Sequence, residues 1–256
     1  MQQQLTIVKV GGKIVEDPKL LANFLKDFSL ITGDKILIHG GGRSATDMAE
    51  KLGIETKMVE GRRITDAEML KVVTMVYAGL VNKNIVAQLQ SLRIDAIGLT
   101  GADMNLILSK KRPVKDIDYG FVGDIRKVNF SALLELLKQN CLPVIAPLTH
   151  DGNGTLLNTN ADTIAAEVAK ALAYDCNVRL IYCFEKRGVL TDENDEESLI
   201  SYLDFKLFQQ YKKEGIIQGG MIPKLDNAFK AIASGVKEVI ITSASELNTG
   251  KGTFIR

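Results

Sequence analysis

Cysteine is scarce in this chain: its 256 residues include three, Cys141, Cys176 and Cys183, an odd number without metal-ligand spacing. That argues against a disulfide framework or a cysteine metal site and suits buried, reduced thiols. An excess of one charge is missing too. Lys and Arg number 32 against 31 Asp and Glu, a net charge of +1, so neither nucleic acid nor an anionic membrane surface is indicated as a partner. No apolar run approaches the roughly 20 residues that cross a bilayer. The opening "MQQQLTIVKV" lacks the basic segment and apolar core of a signal peptide, and a cytoplasmic protein is expected. There is no internal repeat or low-complexity segment, and the acidic stretch "TDENDEES", residues 191–198, reads as a solvated loop.

What is present is a regular alternation. Hydrophobic residues make up 46% of the chain, enough for one large α/β domain or two modest lobes. The runs "LTIVKV", "KILIH", "DAIGL", "LPVIAPL", "VRLIYCF" and "KEVIIT" read as strands, and 16–30, 43–53, 66–92, 131–140, 161–173 and 221–235 read as helices. Such βα units predict a largely parallel sheet. In the long segment Met69, Val73, Val76 and Leu80 mark one apolar helix face, packed inside the subunit or against a partner. Residues 105–128 break the rhythm and read as short antiparallel strands.

The chemistry-bearing residues gather at the ends of these elements. Lys9 sits inside the first strand, just before Gly11 and Gly12, and the second strand runs through His39 into Gly40, Gly41 and Gly42 at the start of a helix. Glycine-rich strand-to-helix turns let backbone N–H groups approach an anion closely, aided by the helix dipole. One such turn is weak evidence, and two are stronger. Neither the G-x-x-x-x-G-K-[ST] phosphate loop nor G-x-G-x-x-G is present. Further on, "LNTNAD" (157–162) opens a helix, where Asn160 reads equally as an N-cap and Asp162 as a dipole-favoured first-turn acid. "GGMIPKL" (219–225) places Lys224 near the front of another helix, which by itself is an ordinary position for lysine.

Taken together, "VKVGG" (8–12), "HGGG" (39–42), "GRRIT" (61–65), "GLTGAD" (98–103), "VGDI" (122–125), "LNTNAD", "GGMIPKL" and "GTFI" (252–255) resemble the amino acid kinase family, most closely its N-acetylglutamate kinase branch. "GRRIT" and "LNTNAD" favour this branch over the aspartate, glutamate, carbamate and uridylate kinases. The resemblance implies an open αβα sandwich with a mainly parallel central sheet. It also implies an amino-terminal lobe, 1–175, for the acylglutamate and for dimerisation, and a carboxy-terminal lobe, 176–256, for ATP. The reaction implied is ATP-dependent phosphorylation of the 5-carboxylate of N-acetyl-L-glutamate, with another N-acylglutamate such as N-succinylglutamate, another amino acid kinase activity or a non-catalytic sensor as alternatives.

By the same resemblance Lys9 stabilises the γ-phosphoryl group in flight, Lys224 lies towards the β–γ bridge, and Asp162 holds both lysines. Gly12, Gly41 and Gly42 cradle phosphoryl oxygens, Arg63 clamps a substrate carboxylate and Asn158 binds the other end of the amino acid. A glutamate side-chain carboxylate, with a reference pKa of about 4.3, is already ionised at neutral pH and needs no general base. His39 is accordingly read as support beside the glycine turn and His150 as a surface loop residue. Magnesium is expected on the nucleotide and not in a cage of its own. With four residues before the first strand, an arginine-insensitive homodimer is expected, its interface including the 66–80 helix. The sequence departs from the family pattern at "CFEKRGVL", where Glu185, Lys186 and Arg187 occupy a nucleotide-lobe turn. Lys13 and Arg62 are two cations beyond the expected set, either solvated or available to an additional substrate carboxylate.

Overall fold

A computed structural model of the chain describes residues 3–59, 61–192 and 194–256. Two strand–helix units open it: β1 (Gln3–Val10), α1 (Lys13–Glu16) and α2 (Pro18–Ser29), then β2 (Asp34–His39) and α3 (Gly42–Lys51). A small hairpin, β3 (Met58–Val59) and β4 (Arg62–Arg63), leads into α4 (Ala67–Val73), a π-helical stretch (Thr74–Val81) and α5 (Asn82–Ser91), which run on as one helix. The middle of the chain holds β5 (Ala96–Leu99), β6 (Ile107–Lys111), β7 (Gly123–Val128), α6 (Phe130–Lys138), β8 (Leu142–Ile145), β9 (Leu148–His150) and β10 (Leu156–Asn158). The remainder is α7 (Ala161–Leu172), β11 (Cys176–Phe184), β12 (Tyr202–Leu203), α8 (Phe205–Lys213), α9 (Met221–Ala233), β13 (Glu238–Ser243) and β14 (Thr253–Ile255).

Among the described residues, eight strands form the main sheet in the order β12-β14-β13-β11-β1-β2-β8-β5, and every ladder is parallel except that between β13 and β14. Alternation along β1 explains the layering. Leu5 and Ile7 enter the core beneath α6, α7 and α9, whereas Val8 and Val10 enter the opposite core with α2, α3 and the long helix. The result is the expected αβα sandwich, with the residue 1–175 and 176–256 segments sharing one sheet along the β1–β11 ladder. A second sheet, β10-β9-β6-β7, contains the antiparallel excursion expected between 105 and 128.

Several boundaries differ from the sequence reading, each for a local reason. β1 begins at Gln3 and not Leu5, adding two rungs against β11. The helix expected over 16–30 is α2, which starts at Pro18 after the separate short α1, because Asp17 caps it by accepting the N–H groups of Lys19 and Leu20. "LPVIAPL" divides between the two sheets at Ala146 and Pro147. Among the elements that add to those expected are α8, introduced by an Asp204 cap and burying Phe208, and the strands β12 and β14, which span only Tyr202–Leu203 and Thr253–Ile255. Cys176 and Cys183 are buried, but Cys141 is only half-buried; all three are free thiols.

The long helix needs two corrections. Met69, Val73 and Val76 are buried as expected, but Leu80 is 50% exposed. The i→i+5 pattern from Thr74 onward shifts the inward stripe, so Tyr77 and Val81 take the buried positions. By length and composition Ala67–Ser91, 25 residues, also satisfies the requirement for a membrane span. Its Met69–Val72–Val76–Ile85 side lies in the core, as in a core helix. Within the acidic stretch Glu193 lies outside the described residues; its described neighbours Asp192 and Asn194–Glu197 are exposed.

Gly120 ties this scaffold to the site. It adopts φ +71°, and a Cβ there would lie 2.2 Å from the Thr65 carbonyl oxygen. Gly53 has nearly the same φ, +70°, but no described atom within 4 Å of where a Cβ would lie. Gly53→Ala should therefore cost only the left-handed strain, about 1–2 kcal/mol, and Gly120→Ala clearly more. Chemical denaturation of both variants checks this, and equal losses would show that the close approach to Thr65 is unimportant.

Candidate active site

The site forms where the carboxyl ends of β1, β2 and β11 meet the amino ends of α3, α7 and α9. β1 lies between β2 and β11, in register Lys9↔Ile38 and Lys9↔Tyr182. Lys9 projects to the face carrying α7 and α9, and its Nζ lies 2.8 Å from Asp162 Oδ1. Lys224, in the first turn of α9, places its Nζ 2.7 Å from Asp162 Oδ2. One carboxylate thus holds two ammonium groups, with side-chain exposures of 12% for Lys9, 18% for Asp162 and 11% for Lys224.

At that depth pairing decides the protonation states. Burial raises the Asp162 pKa, but the charges and hydrogen bonds of Lys9 and Lys224 more than reverse this and hold the carboxyl well below the usual carboxylate range. Burial lowers the Lys224 pKa; Asp162 opposes that shift and Lys9 reinforces it. Tyr182 braces the pair from behind. Its hydroxyl donates to the Asp162 carbonyl at 3.1 Å, and its ring lies 5.1 Å from Lys224 Nζ, with the Phe184 ring at 5.7 Å.

The two glycine turns abut in front of these charges. A Cβ at Gly40 would lie 3.4 Å from Gly11 Cα, and one at Gly11 would lie 2.4 Å from Lys9 Nζ, so the lysine folds back over a turn that leaves it room. Gly41 adopts φ +153° against the Tyr77 ring. Among the described residues, nothing lies near the Cβ direction of Gly42, which opens α3, and no side chain caps that helix. Neither does a side chain cap α9, which starts after Gly220. Uncapped N–H groups at two helix starts, beside two lysines, form a cradle suited to phosphoryl oxygens.

Arg63 joins this cradle to a second cluster. It is 8% exposed, and its guanidinium donates to the Gly42 carbonyl and Thr46 Oγ1, both at 2.7 Å, and to Thr56 Oγ1 at 3.2 Å. Asn158 Nδ2 donates to Thr65 Oγ1 at 2.9 Å, and that hydroxyl donates to the Arg63 carbonyl at 3.3 Å. The structure therefore brings Arg63 and Asn158 together through fully buried Thr65. Thr65 lay unassigned within "GRRIT". Tyr182 was equally unassigned, although a polar-tipped aromatic inside an apolar strand is a signal.

Other expectations sort as follows. Lys13 and Arg62 are exposed, and neither side chain has an ion-pair partner among the described residues. Glu185 reaches across from the end of β11, and its Oε1 accepts the Lys13 backbone N–H at 2.9 Å. Arg187 pairs instead with Glu246 and Glu197. His150 is not a loop residue: it ends β9, half-buried, with Nδ1 accepting from Gly152 N–H. No group of three His, Cys, Asp or Glu side chains converges as a metal site among the described residues.

His39 is fully buried. It donates from Nδ1 to the Gly40 carbonyl at 2.6 Å and accepts from Asn82 Nδ2 at Nε2, 3.1 Å away. Burial pushes its pKa down to about 4. The unfolded chain takes up this proton near pH 6.5, so the native state has its full stability above that pH and loses it as the pH falls towards 4, by on the order of 3 kcal/mol. Denaturation midpoints at pH 7.5 and 4.5 should separate wild type from His39→Gln, with the variant losing less on acidification. Equal losses would remove the buried neutral imidazole as the cause.

The family model for the amino acid kinase family matches residues 4–243. Acetylglutamate kinases from Phocaeicola vulgatus and Parabacteroides distasonis are each 64% identical, the first over all of both chains and the second over 99% of each. The solved carbamate kinase of Giardia lamblia bound to AMP-PNP superposes with a TM-score of 0.72 over 99% of this chain and 98% of its own, at 14% identity, a likeness of fold.

Proposed function

The chain belongs to the amino acid kinase family, and from that membership we propose that it transfers the γ-phosphoryl group of ATP to the 5-carboxylate of N-acetyl-L-glutamate. The reaction is the second step of arginine biosynthesis, in the cytoplasm. The Lys9–Asp162–Lys224 arrangement in front of the two glycine turns carries this reading.

Phosphoryl transfer asks a protein for alignment and charge neutralisation more than for covalent chemistry. An ionised substrate carboxylate oxygen attacks the γ-phosphorus, the bond to the β–γ bridging oxygen breaks, and ADP leaves. No proton has to be removed first. Lys9 neutralises charge on the phosphoryl group in transit, Lys224 does so towards the leaving ADP, and Asp162 fixes both. Backbone N–H groups of Gly12, Gly41 and Gly42 hold phosphoryl oxygens. Arg63 and Asn158, linked through Thr65, bind the acylglutamate in the 1–175 lobe, and the 176–256 lobe binds ATP. Magnesium carried by the nucleotide adds charge neutralisation when bound, a mode that fits a site built from lysines and backbone donors.

Lys9→Ala, Lys224→Ala and Asp162→Asn should each lower kcat about a hundredfold or more with the fold retained. Arg63→Ala and Asn158→Ala should raise KM for N-acetylglutamate far more than KM for ATP. A coupled ADP-release assay supplies both results, run with N-acetylglutamate, N-succinylglutamate, glutamate, aspartate and UMP as acceptors. No turnover on N-acetylglutamate, or near-normal kcat in the lysine variants, would refute the reading.

The outward side of the long helix completes the proposal. Met75 and Leu80 are 54% and 50% exposed beside Gly79, an apolar surface suited to a two-fold homodimer contact. Wild type should elute as a dimer in light scattering, and Met75→Glu/Leu80→Glu as a monomer; a monomeric wild type overturns this arrangement.

A further inference from the structure

Glu185 stands in the way of the chemistry just described. The β1–β11 ladder pairs Val10 with Cys183, so two residues further on Glu185 faces the Gly11–Gly12 turn. Its Oε1 accepts the Lys13 backbone N–H at 2.9 Å. Gly12 has φ +56°, and a Cβ on it would lie 2.6 Å from the same oxygen. The turn therefore admits this carboxylate only because residue 12 has no side chain. Glu185 is also close enough to Lys224 for its charge to favour the protonated ammonium.

The charge count gives this contact a meaning. Lys9, Lys224 and Asp162 leave one positive charge in excess, and Glu185 brings the balance to neutral. A phosphoryl group placed on the Gly12 turn would meet a carboxylate already using the neighbouring donor; Gly12, Lys13 and Glu185 are exposed, so the competition is for that donor and that space, with a solvent-screened repulsion between the two anions added to it. We propose that Glu185 is a placeholder anion of the phosphoryl cradle, seated on the Lys13 N–H at rest and displaced when nucleotide phosphates arrive, so that it sets nucleotide affinity from within the site. The proposal rests on the kinase reading and adds to it a positioning residue with a definite sign. A group that holds its own donors closed reduces apparent affinity by the fraction of molecules in which it is open.

The test is binding of magnesium AMP-PNP by calorimetry to wild type, Glu185→Gln and Glu185→Ala, with melting curves to confirm that each is folded. Removing the competitor should tighten binding, about threefold to tenfold for the alanine variant if a tenth to a third of wild-type molecules are open, and less for glutamine. KM for N-acetylglutamate should stay unchanged. Unchanged or weaker nucleotide binding in folded variants overturns the placeholder role, and weaker binding would make Glu185 a direct nucleotide or metal contact. A wild type that does not bind AMP-PNP overturns the kinase reading and this inference together. Tighter binding in the variants without turnover on N-acetylglutamate overturns only the choice of acceptor.

Discussion

Two ammonium groups can share a poorly hydrated site only if something negative lies between them. Asp162 meets that constraint with one oxygen for each lysine. Removing its charge would leave two cations with little water to screen them, and one would shed its proton or leave the site. The rest of the architecture keeps three unrelated segments on this carboxylate. β1 delivers Lys9 from the middle of the sheet, α7 crosses above β1, β2 and β11, and α9 packs against α7 and brings Lys224.

The remaining polarity of the site follows from the same arrangement. α3 and α9 begin there after glycines with no side chain on their first N–H groups, so their positive ends add to the two lysines. α7 begins there with Asn160 as its cap and Asp162 in its first turn, and so contributes the negative charge that lies between the two lysines. Arg63 donates to the Gly42 carbonyl and to Thr46 of α3, tying the β3–β4 hairpin to the second glycine turn. Shape and charge are therefore set by the same few backbone positions.

Much of this was legible in the sequence, because strand-to-helix turns advertise themselves through glycine and through abrupt changes of hydrophobic period. Lys9 stood out as the one charge in an apolar strand, and Asn160 proved to be the N-cap its pattern allowed. What escaped was mostly non-local. Thr65 gains its role from Asn158, 93 positions away, and Glu185 from a backbone N–H 172 positions away. Leu80 escaped for a different reason, since a π-helical stretch changes the helical repeat without leaving a compositional mark. α8, β12 and β14 are short, and their placement depends on neighbours already assembled.

The central position of β1 also bears on how the protein is made. Its partner on one side, β2, follows soon after it, but residue 3 pairs on the other side with residue 176. On the ribosome, most of the polypeptide must therefore be synthesised before β11 can occupy that edge. Until then one edge of an apolar strand that runs into a lysine and two glycines is unpaired, a state prone to adhere to other chains. Lys9 sits near the end of that exposed edge, where charge discourages such pairing. The lysine that pairs with Asp162 in the finished site is thus also placed to act as a gatekeeper in the nascent chain.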